Sequence, residues 1–227
     1  MELWKRISGF FKGEADKLRQ MSFGAKLGYL FTYYKGWFAL LLVAALFGGY
    51  IADLVIQGQK EIVLQGFFTN DEHGLFHGSE LERAFGAYLG LEKKQRIVFD
   101  DGLYVDLHGE ATEYSAASNG KIIAYMATRE LDFVITSKEV YEHFAADVPL
   151  ADVAGLVPEE LREELAPCLV DAKGPEGEAI SGALELSRSR FLRDTEVPEE
   201  SYYMFVPYHV PHPEALGEFI RFCYEAA

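Results

Sequence analysis

Two histidines, His73 and His77, stand four residues apart among Asp71, Glu72 and Glu80. On a helix that spacing would present two imidazoles on one face to a metal ion. Gly74 and Gly78 instead mark a loop, the glutamate of a zinc-protease motif is missing, and no third ligand is implied, so a solvated loop is expected. A second group, Asp100, Asp101, Asp106, His108 and Glu110, offers oxygen ligands of the kind calcium takes, without the ordered spacing of a calcium loop. His209 and His212 flank a helix start at Pro213, where capping accounts for them. No metal and no cofactor is therefore expected. The chain has no Gly-x-Ser-x-Gly elbow, no phosphate-binding loop and no dinucleotide fingerprint. With 36 acidic side chains, proximity in sequence selects no carboxylate pair for acid–base work, and the expectation is a non-enzyme. A net charge of −15 argues against nucleic acid, whose phosphates need a basic face. Cys168 and Cys223 are the only cysteines. A disulfide and two free thiols both stay open, with Cys223 on the apolar face of the last helix favouring a buried thiol.

Gly36–Ala52 is an uncharged run, extended back to Leu27 with only Lys35 interrupting it. At 1.5 Å per residue, roughly 20 residues cross the hydrocarbon core of a bilayer, so this run is long enough. Lys35 is placed to snorkel and Asp53 sits at the far edge, where a charge costs less than at mid-bilayer. Tyr29, Phe31, Tyr33, Tyr34 and Trp37 crowd one end and Tyr50 the other, as aromatic belts do. A cleaved signal would need a basic region of about 35 residues and a small-x-small site, which does not follow the run, so an uncleaved single span over 27–57 is expected. Residues 1–35 carry seven basic and three acidic side chains, so the net negative charge of the chain lies wholly in residues 36–227. The basic flank predicts a cytoplasmic N-terminus in the cell membrane and an extracytoplasmic domain over 58–227. Within the arm 1–26, Trp4, Ile7, Phe11 and Leu18 fall on one side of a helix and Lys5, Arg6, Lys12, Lys17 and Arg19 largely on another. That pattern suits an anionic inner leaflet, with Ser22 as a cap separating the arm from the span.

From Lys60 onward, strand and helix patterns alternate. Strands are predicted over Glu61–Phe68, Arg96–Phe99, Leu103–Leu107, Leu131–Thr136, Ala179–Leu186 and Tyr202–Val210. Helices are predicted over Ser79–Leu91, Thr112–Ala127 (with Asn119-Gly120 a candidate interruption), Ser137–Ala146, Pro158–Leu165 and Pro213–Tyr224. Asp171–Glu178 reads as a loop, and Thr136 with Glu139 as a capping box. The alternation predicts an α/β domain with a single mixed, largely parallel sheet covered on both faces. In such a sheet ligands meet the carboxyl ends of strands. Those ends are Thr69 and Asn70 after the first strand, and Thr136 and Ser137 after the third buried one, which makes these four the candidate ligand-binding residues.

The stretch Lys121–Val153 resembles one lobe of the two-lobed, periplasmic-type extracellular solute-binding proteins. A helix reading Lys-Ile-Ile-Ala-Tyr-Met-Ala leads through Arg129-Glu130 to Leu-Asp-Phe-Val-Ile-Thr, then to a helix with Val140, Tyr141 and Phe144, and out through Pro149-Leu150-Ala151-Asp152-Val153. Tyr202–Phe222 is similar to that family's returning strand and closing helix, with Pro213-Glu214-Ala215 opening it and Phe219-Ile220-Arg221-Phe222 near its end. The overall plan looks like the small membrane-anchored proteins of this kind in Gram-positive bacteria. Arg129 stands where that family usually has glycine, and only a remnant of a second lobe fits, within about Pro149–Glu200. The resemblance implies a ligand-binding or interaction module at the cell surface, accessory to a transporter or sensor, whose partners are the bilayer and a small molecule or an envelope protein. The alternative is a structural partner in an envelope complex.

Overall fold

The computed structural model describes residues 22–109, 112–193, 195–196 and 202–225. The amphipathic arm expected before Ser22 lies outside them. The chain divides into two compact units between Gln59 and Lys60.

The first unit contains α1 (Phe23–Gly58). The Ser22 hydroxyl accepts from the Ala25 N–H at 3.5 Å, so the serine caps the helix as expected. Lys35–Ile56 is long and apolar enough to cross a membrane, with a mean hydropathy of 2.3, and none of it is buried within the protein. Leu40, Leu41, Leu42, Val43, Leu46 and Phe47 are all exposed. Such a surface left to water would be exceptional, and hydrocarbon is the medium that suits it.

The second unit is α/β. It is built from β1 (Glu61–Thr69), α2 (Gly78–Leu89), β2 (Gln95–Leu103), α3 (Glu113–Thr128), β3 (Phe133–Ser137), α4 (Lys138–Asp147), the short α5 (Arg162–Leu165), β4 (Leu169–Lys173), β5 (Ala179–Glu185), β6 (Tyr202–Phe205) and α6 (Pro213–Tyr224). Among the described residues one six-stranded sheet runs in the order β2-β1-β3-β6-β5-β4. β1 pairs in parallel with β2 and β3, whereas β3–β6, β6–β5 and β5–β4 are antiparallel. The sheet is thus mixed but mostly antiparallel, not largely parallel. The cause is the C-terminal half: β4 and β5 form a hairpin where a loop was expected from Asp171, and β6 returns against β3.

Three further boundaries differ from the sequence reading. The Asp100-Asp101-Gly102 segment does not divide two strands, because β2 continues through it against β1 with a register shift between Asp100 and Leu103. Asn119-Gly120 does not interrupt α3. β6 stops at Phe205, and Pro207, which has no N–H to give, makes a single bridge with Leu150.

Alternate side chains along each strand feed two cores, as the two-residue period requires. Leu64 and Phe68 of β1, Phe133 and Ile135 of β3, and Met204 of β6 pack with Phe85 of α2 and Leu216, Phe219 and Ile220 of α6. Phe67, Val134, Tyr203 and Phe205 point the other way, toward Ile122 of α3 and Val140, Tyr141 and Phe144 of α4. The Phe133 and Phe219 rings stack with centroids 4.7 Å apart. Gly66 makes room for that stack, since a Cβ there would lie 2.1 Å from the Phe133 ring. Cys168 and Cys223 are free and buried. Burial pushes both thiols above their ordinary range, so they are unreactive packing groups.

One buried charge joins these layers. Asp132, fully buried just before β3, accepts from the Gln65 N–H of β1 at 2.7 Å through Oδ2 and from the His212 N–H at 2.8 Å through Oδ1. Its own N–H donates to the Gln65 carbonyl at 2.9 Å. The His212 ring adds Nδ1 at 3.0 Å from Oδ2. His212 is the N-cap residue of α6, so a single carboxylate ties two strands and the closing helix together. Asp132→Ala should lower the unfolding free energy by at least about 2 kcal/mol in urea denaturation, because it leaves the Gln65 and His212 N–H groups without their acceptor. A loss below about 1 kcal/mol would contradict this role.

Candidate functional site

The parallel register sets Phe68 beside Ile135, so β1 and β3 end side by side, at Thr69 and at Thr136 with Ser137. The sheet does bring together the four residues singled out in the sequence. Their side chains have different fates. Asn70 adopts a left-handed backbone with φ 56°. Its amide closes a two-way clamp on the loop after β2: Nδ2 donates to the Val105 carbonyl at 2.8 Å, and the Val105 N–H donates back to Oδ1 at 2.9 Å. Thr69 Oγ1 donates to the same Oδ1 at 2.5 Å. Both residues are buried and their polar groups are spent on the chain itself.

Thr136 is fully buried, and its Oγ1 has no hydrogen-bond partner among the described residues. It therefore does not cap α4. The N-cap residue is Ser137, partly exposed and without a side-chain cap bond, so the expected Thr136–Glu139 capping box does not form. The strand outlasts the sequence estimate by that one position, because Ser137 still pairs with Tyr202 of β6.

The concavity at this end lies one step further out, beyond the Asn70–Val105 clamp. A cleft of about 340 Å³ is lined by Val105, Asp106, Leu107, Ser115, Ala116, Asn119 and His143. Its size falls at the lower end of the range for small-molecule pockets. The loop after β2 supplies one wall, the first half of α3 a second, and α4 a third. Each wall is fixed from the sequence upward. Thr112 caps α3 by accepting from the Ser115 N–H at 3.1 Å, and Ser115 Oγ donates to the Thr112 carbonyl at 3.2 Å. The Tyr104 N–H donates to Ser118 Oγ at 3.2 Å, which holds the loop against the helix. His108 makes an ion-pair contact with Glu139 of α4, bridging loop and helix.

The polar groups of the cleft are mainly acceptors. Asp106 Oδ1 accepts from the His108 and Gly109 N–H groups, both at 2.9 Å. These two bonds hold its carboxyl below the usual carboxylate range. The turn is therefore stabilised above the ordinary carboxylate range and loosens as pH falls through the lowered value. Asn119 Oδ1 is a buried acceptor with no partner among the described residues. A buried oxygen left in that state costs about 1–3 kcal/mol.

The other clusters noted in the sequence are internally occupied. Asp71 accepts from the Tyr202 hydroxyl at 2.8 Å and the Phe76 N–H at 2.7 Å, and burial together with that carboxylate keeps the Tyr202 hydroxyl well above its usual range. His73 donates its N–H to the same hydroxyl at 3.2 Å and lies in a loop, as does His77, the residue that precedes α2. Asp101 accepts from the Gly78 N–H at 2.8 Å, and Asp100 pairs with Lys121. Among the described residues no group of three or more potential ligands is poised to hold a metal ion.

No known protein family, curated protein or solved structure matches this chain. The arrangement itself must carry the argument. Sequence reasoning singled out Asp106 only as one of a group of oxygen ligands, and it did not single out Ser115 or Asn119 as lining residues. Asn119 was visible only as a doubtful turn beside Gly120.

Asn70→Ala should destabilise the second unit by at least about 2 kcal/mol, because it leaves the two backbone groups of buried Val105 without partners. Asn70→Gly removes the left-handed backbone penalty of about 1–2 kcal/mol but not the lost bonds, and should stay less stable than the parent in the same denaturation experiment. A glycine variant as stable as the parent would show that the clamp contributes nothing.

Proposed function

We propose that this chain is a membrane-anchored, extracytoplasmic, non-enzymatic ligand-binding module, with its N-terminus in the cytoplasm, accessory to a transporter or sensor. The observation that carries the reading is the cleft at the carboxyl end of the parallel strands, lined by Asp106, Ser115 and Asn119, the last with a buried Oδ1 that has no partner among the described residues. That is the end of an α/β sheet where ligands are generally met. The acceptor-rich lining, with Asp106 ionised beside Asn119, favours a small ligand bearing N–H donors, an amine or ammonium before a carboxylate or phosphate. The apolar stretch Lys35–Ile56 and the basic residues before it support the anchoring and the orientation. The resemblance of Lys121–Val153 to a solute-binding lobe supports the same class of role.

The test is thermal unfolding of the Lys60–Ala227 unit against amino acids, short peptides, amines, sugars and divalent ions. Binding to the native state alone stabilises by about 2.7 kcal/mol when free ligand stands at about 100 times its Kd. An amine-bearing class should raise the midpoint in proportion to dose, and Asn119→Ala should abolish the rise without lowering the midpoint of the free protein. A flat panel from a well-folded domain would contradict the binding role and favour an assembly partner in a cell-envelope complex.

A further inference from the structure

At the opposite end of the sheet lies a second cleft, made by entirely different residues. Its volume is about 340 Å³, and it is lined by Ile123, Met126, Ala127 and Arg129 at the end of α3, by Val148 and Pro149 after α4, and by Pro207, Tyr208 and His209 after β6. Its walls are pinned to each other: the Tyr208 N–H donates to the Pro149 carbonyl at 3.2 Å, and Leu150 bridges Pro207. The concavity thus belongs to the fold. Ile123 and Tyr208 are nevertheless about half exposed in it, at 47% and 53%.

The side chains of the lining are apolar except for Arg129, the His209 ring and the Tyr208 hydroxyl. In a chain of net charge −15, this cleft is lined by no carboxylate at all. Arg129 has no carboxylate partner among the described residues, and it sits in an unusual place. It is the C-cap of α3 with φ 60°, where its N–H closes the helix on the Met126 carbonyl at 3.2 Å. That left-handed position suits glycine, and an arginine there strains the backbone without improving the cap. Strain held at one residue calls for something its side chain does. Arg129 is exposed and lines this apolar cavity, to which it brings the planar donor fork of a guanidinium.

We propose that this cleft binds a medium-chain carboxylate, with the alkyl chain along Ile123, Met126, Val148 and Pro207 and the carboxylate on the Arg129 guanidinium. The apolar walls select a chain over a polar solute, because chain and walls leave water together. The guanidinium then selects an acid over an alcohol or an amine, since a carboxylate fits its fork with two parallel hydrogen bonds. Such a ligand is opposite in charge to the one the strand-end cleft favours, so the two sites are separable by chemistry as well as by place.

The test is calorimetric titration of the Lys60–Ala227 unit, which contains both hydrophobic cores, with octanoate below its aggregation threshold and with octanol and octylamine as controls. Octanoate should bind at one saturable site at least tenfold more tightly than either control. Arg129→Gly should weaken octanoate at least tenfold while the unfolding midpoint holds or rises by a few degrees, because the substitution relieves the left-handed backbone. That pairing of lost binding with kept stability is one a merely structural arginine could not give. Ile123→Glu, on the exposed wall, should abolish binding independently, and Asn119→Ala should leave it unchanged. Equal affinity for octanoate and octylamine, an Arg129→Gly variant that binds like the parent, or no octanoate binding to the folded unit would each overturn the proposal.

Discussion

The second unit depends on how one buried carboxylate is satisfied. Asp132 sits in the apolar run that becomes β3 and is fully shielded from water. An ionised group there would be prohibitively costly without partners, and its partners dictate the architecture. One oxygen takes the Gln65 N–H, which fixes β1 beside β3. The other takes the His212 N–H, which fixes where α6 starts. With those two points set, the parallel register follows, and Phe219 of α6 comes down onto Phe133 over the gap that Gly66 leaves.

The same register makes the strand-end geometry. Once Phe68 lies beside Ile135, Thr69 and Thr136 close the sheet at one level, and the chain leaving β1 must turn sharply. Asn70 makes that turn in a left-handed conformation and uses its amide to hold the loop after β2. The loop so held becomes one wall of the acceptor-rich cleft, and capped α3 becomes another. The site is therefore assembled at one remove from the strand ends. Thr69 and Asn70 spend their polar groups on the chain itself, and the loop they hold lines the cavity.

Much of this was legible in the sequence, for identifiable reasons. The apolar helix, the β-former-rich runs Glu61–Phe68 and Leu131–Thr136, and the Pro213 start of the last helix are local signals, and each emerges at nearly the expected boundary. In the antiparallel half, β5 and β6 were legible as strands, but β4 and the direction of pairing were not. β4 carries Asp171 and Lys173 on a partly exposed edge strand, where pairing with β5 rather than residue preference makes the strand. The role of Asp132 could have been anticipated, because a lone acid inside a buried apolar run has to be paired. Its partner could not, since His212 lies 80 residues away. Asn119 was hidden for a related reason. A solvent-side Asn-Gly step reads as a helix breaker until the loop after β2 folds over it.

The claim on which the functional account rests is that the cleft beyond the Asn70–Val105 clamp is where a ligand is held. The direct measurement is a titration of the 15N-labelled Lys60–Ala227 unit with amine-bearing solutes, followed by its backbone amide resonances. The account predicts saturable shifts concentrated at Val105, Asp106, Leu107, Ser115, Ala116 and Asn119, with Arg129, Tyr208 and His209 unmoved. Shifts that avoid the first group, or a folded spectrum that no amine disturbs, would contradict it.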